Sequence, residues 1–201
     1  MNTHSSSAFR RLVALALLGV FLTVGASLCE AQVTIYAKFL DGAAVWAGES
    51  TDPGRSGWAK LDSFSFSFTN PSVVGGSSAP VVFNPGAFSK PVDRLTPQIF
   101  ANLASGTPLR NAALPADLIV EFVKTGAAGP VVIFRVEMKL VVFSSQGTAT
   151  ATADLTVQEN LQLQFGAVRI TNYPILPSGL QGTPQIQSWS RVLNNGSFNV
   201  P

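Results

Sequence analysis

Leu61-Asp62-Ser63-Phe64-Ser65-Phe66-Ser67-Phe68-Thr69 alternates with period two over nine residues. Phe64, Phe66 and Phe68 fall on one face of an extended chain, and Ser63, Ser65 and Ser67 on the other. Successive side chains of a strand point to opposite sides, so the stretch predicts a strand with its phenylalanines in the core. The same period recurs on both sides of it. Ile35, Ala37 and Phe39 alternate with Tyr36 and Lys38, which predicts an opening strand. Leu118 to Val123 reads as a shorter strand. From Val132 to Val142 the even positions are apolar while Arg135, Glu137 and Lys139 occupy the odd ones, so a long strand with a charged outer face is expected. Leu161, Leu163 and Phe165 alternate with Gln162 and Gln164.

One segment has a different period. Thr96 to Gly106 offers Thr96 as N-cap, Pro97 at the first helical position, and Ile99, Phe100 and Leu103 at helical spacing. Gly106 stands at the stop. A single helix packed by that apolar stripe is expected. Gly48–Gly57 reads as a polar loop and Pro71–Pro80 as a flexible turn. Ser144–Ala153 is a small-residue run, an exposed loop or a weak edge. Residues 175–201 turn to Pro, Gly, Gln, Asn and Ser and read as a tail, with Trp189, Val192 and Leu193 as candidate anchors. Together these elements predict a mainly β, antiparallel domain over residues 32–174 with one helix.

Residues 1–31 read differently. Arg10 and Arg11 precede an apolar run from Leu12 to Leu22, and Val24-Gly25-Ala26 and Cys29-Glu30-Ala31 both fit a small-x-small cleavage pattern. The run is short for a membrane span, which needs about 20 residues. A secretory signal peptide cleaved after Ala31 is expected, followed by export to the periplasm or beyond the cell and no membrane span afterwards.

Composition excludes much. Charged residues are 12% of the 201, about half the usual quarter. That is too few for a nucleic-acid-binding surface, which needs dense positive charge. The only His and the only Cys, His4 and Cys29, lie within residues 1–31. The remainder can form no disulfide, no common zinc site and no Ser-His or Cys-His nucleophile. No cofactor and no catalysis are expected. Other candidates read as structural. Glu49 and Asp52 match no full calcium loop. Ser89 and Lys90 are neighbours on a strand and point apart, so they form no dyad. Arg135, Glu137 and Lys139 read either as a solvated face or as an intersubunit ladder.

Several segments, in order, resemble the Hcp family, the haemolysin-coregulated proteins that form the tube of type VI secretion systems. Val33-Thr34-Ile35-Tyr36-Ala37-Lys38-Phe39 resembles its opening strand. Gly48-Glu49-Ser50-Thr51-Asp52-Pro53-Gly54 with Gly57-Trp58 resembles its G-E-S-x-D-x-G…G-W segment. Phe88-Ser89-Lys90-Pro91-Val92-Asp93 followed by Pro97-Gln98-Ile99-Phe100 resembles its K-P-x-D entry to the helix. Glu159 to Gly166 resembles the closing E-x-(apolar)-x-(apolar)-x-F strand, with Tyr173 beyond it.

The resemblance implies a two-sheet antiparallel β-barrel with one flanking helix. It implies a homo-hexameric ring, stacked head-to-tail into a hollow tube, whose partners are further copies of itself and the spike or effector proteins of a secretion apparatus. It also implies that the loop bearing Glu49, Ser50, Thr51, Asp52, Pro53 and Arg55 makes the ring-to-ring contact. The other reading is an exported monomeric β-barrel that binds an envelope glycan or extracellular ligand through Trp46, Trp58 and Trp189.

Overall fold

The computed structural model describes residues 32–71, 74, 76, 80–110, 116–126, 129–150 and 156–201. The expected signal peptide lies outside the described residues. So do most of the Pro71–Pro80 turn and the end of the small-residue run.

Among the described residues there are thirteen strands and one helix. In chain order they are β1 (Val33–Asp41), β2 (Ala44–Val45), β3 (Ala59–Leu61), β4 (Ser63–Ser65), β5 (Phe68–Thr69), β6 (Val82–Phe83), β7 (Gly86–Pro91), α1 (Thr96–Ser105), β8 (Leu118–Gly126), β9 (Gly129–Lys139), β10 (Val142–Thr150), β11 (Val157–Gln164), β12 (Ala167–Asn172) and β13 (Gln185–Ser190). The large sheet runs β13-β12-β9-β8-β1-β2, with β3 also on β1, and the small sheet runs β10-β11-β7-β4. Neighbours in both sheets are antiparallel. The two sheets pack on a shared core and do not close into one hydrogen-bonded barrel. Phe39 of β1 meets Phe88 of β7 and Phe143 of β10, each at a ring separation of 5.9 Å. Val120, Val136, Met138, Leu161 and Leu163 fill the space around them. Each such fully buried side chain contributes about 1.5–3 kcal/mol.

The serine-phenylalanine stretch is not one strand. Leu61 ends β3 in the large sheet, and the chain then crosses to the small sheet, where Ser63–Ser65 pair with β7. It leaves that sheet after Ser65, and Phe68–Thr69 form a separate hairpin with β6. Phe64 and Phe66 pack half-buried against the core, but Phe68 is 52% exposed. The Val132–Val142 alternation likewise runs through a corner. β9 stops at Lys139, Leu140 adopts φ 53°, and β10 starts in the other sheet. Period-two patterning survives both crossings because each side of the corner still alternates core and solvent.

The helix forms where expected, with Pro97 in its first turn and Gly106 at φ 64° ending it, a conformation open to glycine. Its packing differs. Leu95 is the capping residue, and no side chain makes an N-cap bond. The Thr96 hydroxyl is diverted, donating to Glu159 Oε1 at 2.8 Å. Ile99 and Asn102 are buried with Leu103 beside them, whereas Phe100 is 63% exposed. The small-residue run forms the edge strand β10 as far as Thr150. Residues 175–201 contribute β13, which pairs with β12 over six residues from Ala167↔Ser190 to Asn172↔Gln185. Its apolar residues, Ile186 and Trp189, are set among Gln and Ser in opposite phases, so no apolar alternation marks the strand.

Candidate functional site: two outer faces and an apolar cleft

The outer face of the small sheet is neutral. Ser63 and Ser65 of β4, Ala87 and Ser89 of β7, Asn160 and Gln162 of β11, and Ser145 and Gly147 of β10 line a shallow depression or its margin. Ser63 and Ser89 hydroxyls hydrogen-bond across strands at 2.6 Å. The charges of this sheet point inward. Lys90, in phase with Phe88, and Glu159, in phase with Leu161 and Leu163, are both 0% exposed. Lys90 Nζ lies 2.5 Å from Glu159 Oε1 and 2.5 Å from Asp93 Oδ1. Gln146 Nε2 donates to the second Glu159 oxygen at 2.7 Å, and Asp93 Oδ1 accepts from the Leu95 N–H at 2.9 Å. The cluster therefore pins the start of α1 to β7 and β11. Reading each charge by strand phase would have revealed it. Ser89 and Lys90 do point apart, as expected.

The large sheet reverses this arrangement, with charge on its outer face. Register places Lys60, Tyr36, Glu121, Arg135 and Thr171 in one row across β3, β1, β8, β9 and β12. The next row holds Lys38, Ile119, Glu137, Arg169 and Ser188. Glu121 receives two arginines. Arg55 Nε donates to Oε2 at 2.9 Å, and Arg135 donates from Nε to Oε1 at 2.9 Å and also from Nη2. Arg169 grips Glu137 through Nε at 2.7 Å and Nη2 at 2.5 Å. Arg135 and Glu137 are both paired within the chain, Arg135 with Glu121 and Glu137 with Arg169. Burial disfavours the Arg135 cation, but the Glu121 hydrogen bonds and charge outweigh it and hold its pKa above the ordinary value. The Glu137 hydrogen bonds raise that of Arg169.

The Gly48–Gly57 loop is folded down onto this face. Gly48 N–H donates to Gly57 O at 2.8 Å, Gly57 N–H to Ser50 O at 2.8 Å, and Ser50 N–H to Trp58 O at 2.9 Å. A Cβ at Gly48 would lie 2.4 Å from the Trp58 carbonyl, so only glycine fits. Asp52 accepts from Tyr36 Oη at 2.5 Å and meets Lys60 Nζ at 2.8 Å. Burial and then Asp52 push the Tyr36 phenol up to about 12. Lys60, followed by Tyr36, holds the Asp52 carboxyl below its usual range. Glu49 turns away, accepting from the Arg94 N–H at 3.2 Å. Glu49 and Asp52 therefore share no site, and among the described residues no group of three metal-ligating side chains comes together. Ser50 is buried, while Thr51 and Pro53 remain exposed beside Glu49.

An apolar cleft of about 210 Å³ opens between the β5–β6 hairpin and β12–β13, lined by Phe68, Val81, Phe83, Val168, Ile170 and Trp189. The three tryptophans do not converge. Trp46 packs on Phe39 and stacks with Phe143, Trp58 lies under Lys38 Nζ at 5.7 Å, and Trp189 lines the cleft.

These features define a class: a two-sheet antiparallel β protein with one flanking helix. The family model described as "Type VI secretion system effector, Hcp" matches residues 36–172, and the chain belongs to that family. No curated protein matches the sequence. Among solved structures, a type six secretion system protein is similar at TM-score 0.73 and 17% identity, covering 83% of this chain and 100% of that one. Hcp1 from Salmonella typhimurium is similar at TM-score 0.63 and 17% identity, covering 82% and 99%. Secreted protein Hcp3 from Pseudomonas aeruginosa is similar at TM-score 0.57 and 15% identity, covering 79% and 98%. At these identities the likeness is one of fold.

Proposed function

We propose that this protein is a non-enzymatic tube subunit of type VI secretion that self-associates into a hexameric ring, and that its rings stack. The observation that carries the reading is apolar surface left open at both ends of the large sheet. At the β13 end are Phe68, Val82, Ile186 and the cleft; at the β2 end is Val45, and Phe100 of α1 is exposed as well. Two unlike patches at opposite edges favour a heterologous contact, and a heterologous contact that closes gives a ring. The neutral hydroxyl and amide face of the small sheet suits a channel wall, since it offers a passing protein neither charge nor apolar grip. The loop tip at Glu49, Thr51 and Pro53 is free for a stacked ring, while Ser50, Asp52 and Arg55 hold the loop's base and act only through its shape.

Light scattering on the purified chain across a concentration series tests this. The expected mass is six subunits, falling toward one in Phe68→Glu and Phe100→Glu. A monomer at every concentration overturns the ring. An intact ring in both variants would move the contact elsewhere.

A further inference from the structure

The outer face of the large sheet carries six cations, Lys38, Arg55, Lys60, Arg135, Lys139 and Arg169, against three carboxylates, Asp52, Glu121 and Glu137. Its net charge of +3 contrasts with the remainder of residues 32–201, where five cations meet seven carboxylates. Two of the three acids lie underneath, while Asp52 is 36% exposed and paired with Lys60. The side chains of Glu121 and Glu137 are 5% and 6% exposed, while those of Lys60, Arg135 and Arg169 are 53%, 34% and 28% exposed. What the face shows to a partner is therefore more positive than its count.

The cations are also held in place. Each buried carboxylate fixes a guanidinium fork through two nitrogens and, among the described residues, leaves Nη1 of Arg135 and Arg169 without a hydrogen bond. Rings support them from the side. Arg55 lies over Tyr36 at 5.5 Å, Arg135 over Tyr173 at 6.0 Å, and Arg169 and Lys139 flank Phe198 at 4.6 and 4.9 Å. Cations fixed before binding lose little entropy when an anion arrives.

We propose that this face is a docking surface for an acidic polypeptide segment in extended conformation. Arg135 and Arg169 are diagonal neighbours on β9 and β12, and such neighbours stand roughly 7–8 Å apart. Alternate side chains of an extended peptide are spaced about 6.6 Å apart. Carboxylates at alternate positions thus meet successive guanidinium edges. The band from Lys60 to Arg169 is four strand spacings wide, about 19 Å. Three net charges over that width are too few for duplex phosphates, which fall about every 1.7 Å. The half-buried rings of Tyr173 and Phe198 offer apolar contact that a peptide's side chains can use and a bare polyanion cannot. The surface exists in one subunit, so the inference stands whether or not rings form.

Fluorescence anisotropy of the full chain with a labelled peptide of alternating Glu and Ser tests the proposal, with inorganic polyphosphate as competitor. The expected result is binding that weakens with salt, drops about tenfold in Lys60→Gln/Lys139→Gln, and is unchanged in Arg94→Gln and Arg191→Gln, which lie off this face. The Arg169→Gln/Glu137→Gln pair removes a fork without stranding a buried charge and should weaken binding similarly. Light scattering on each variant separates a lost ring from a lost peptide. No binding, equal loss in the off-face variants, or displacement by polyphosphate at matched charge as readily as by unlabelled peptide overturns the proposal.

Discussion

The two sheets distribute their polar groups in opposite directions. The small sheet keeps its ion pair inside, Lys90 on Glu159 and Asp93, and turns serine, asparagine and glutamine outward. The large sheet keeps its interior apolar and seats Glu121 and Glu137 under arginines on the outside. The difference shows how a low-charge chain can build two unlike surfaces. Twelve percent of residues are charged, and strand phase alone decides which of them meet water.

The comparison breaks most sharply at the buried cluster. Glu159→Gln leaves Lys90 fully buried with only Asp93 as a charged partner, and stability should fall by about 3–5 kcal/mol in urea unfolding. The Lys90→Met/Glu159→Leu pair should recover most of that loss, because a well-packed apolar pair carries no desolvation penalty. A loss below 1 kcal/mol in the single variant would mean the cluster is hydrated. On the other sheet, Glu121→Gln should cost only about 1–3 kcal/mol, since water can solvate Arg135 in part once its partner is gone. If the outer pair proved costlier than the inner one, the contrast between the sheets would fail.

A smaller effect tests the neutral face. Ser65→Lys or Asn160→Lys should change subunit stability by less than about 0.5 kcal/mol, because both positions are exposed. Thermal melts check this directly. If the face lines a channel, either variant should instead slow passage or capture of a partner protein by assembled rings. A large drop in melting temperature would show that the face is packed rather than open.

Much of this was legible beforehand, and the misses share a cause. Period two correctly marked β1, β8, β9 and β11, and the Pro97 and Gly106 punctuation marked α1. Alternation does not say which sheet a strand joins, so the crossings after Leu61 and Lys139 were invisible. Phe100 was placed in the core by spacing, yet Asn102 takes the buried position. The loop at Glu49–Arg55 was recognisable as a segment. Its clamping by Tyr36, Lys60 and Glu121 depends on residues up to 66 positions away in sequence, which no local pattern reports. β13 was hidden because its apolar side chains are few and its partner β12 lies across a Pro- and Gly-rich connection.

The smallest effect concerns that clamp. Tyr36, with its pKa raised to about 12, favours the neutral phenol in the fold. Its contribution is complete below the unfolded value of about 10 and is lost as pH climbs toward 12. Asp52, held below its ordinary range, contributes above about pH 4 and loses that contribution as pH falls through its lowered value. The clamp is therefore whole from roughly pH 4 to 10 and loosens on both sides. The chain has two tyrosines, so subtracting the alkaline absorbance titration of Tyr36→Phe from that of the parent isolates the Tyr36 phenol. Asp52→Asn should lower its midpoint only part of the way toward 10, because burial is the larger cause and remains. An unchanged midpoint would mean that the loop does not rest on Tyr36 in solution. The charged face would then lose Asp52 and Arg55, and the docking band would keep Lys60 on β3 together with Arg135 and Arg169.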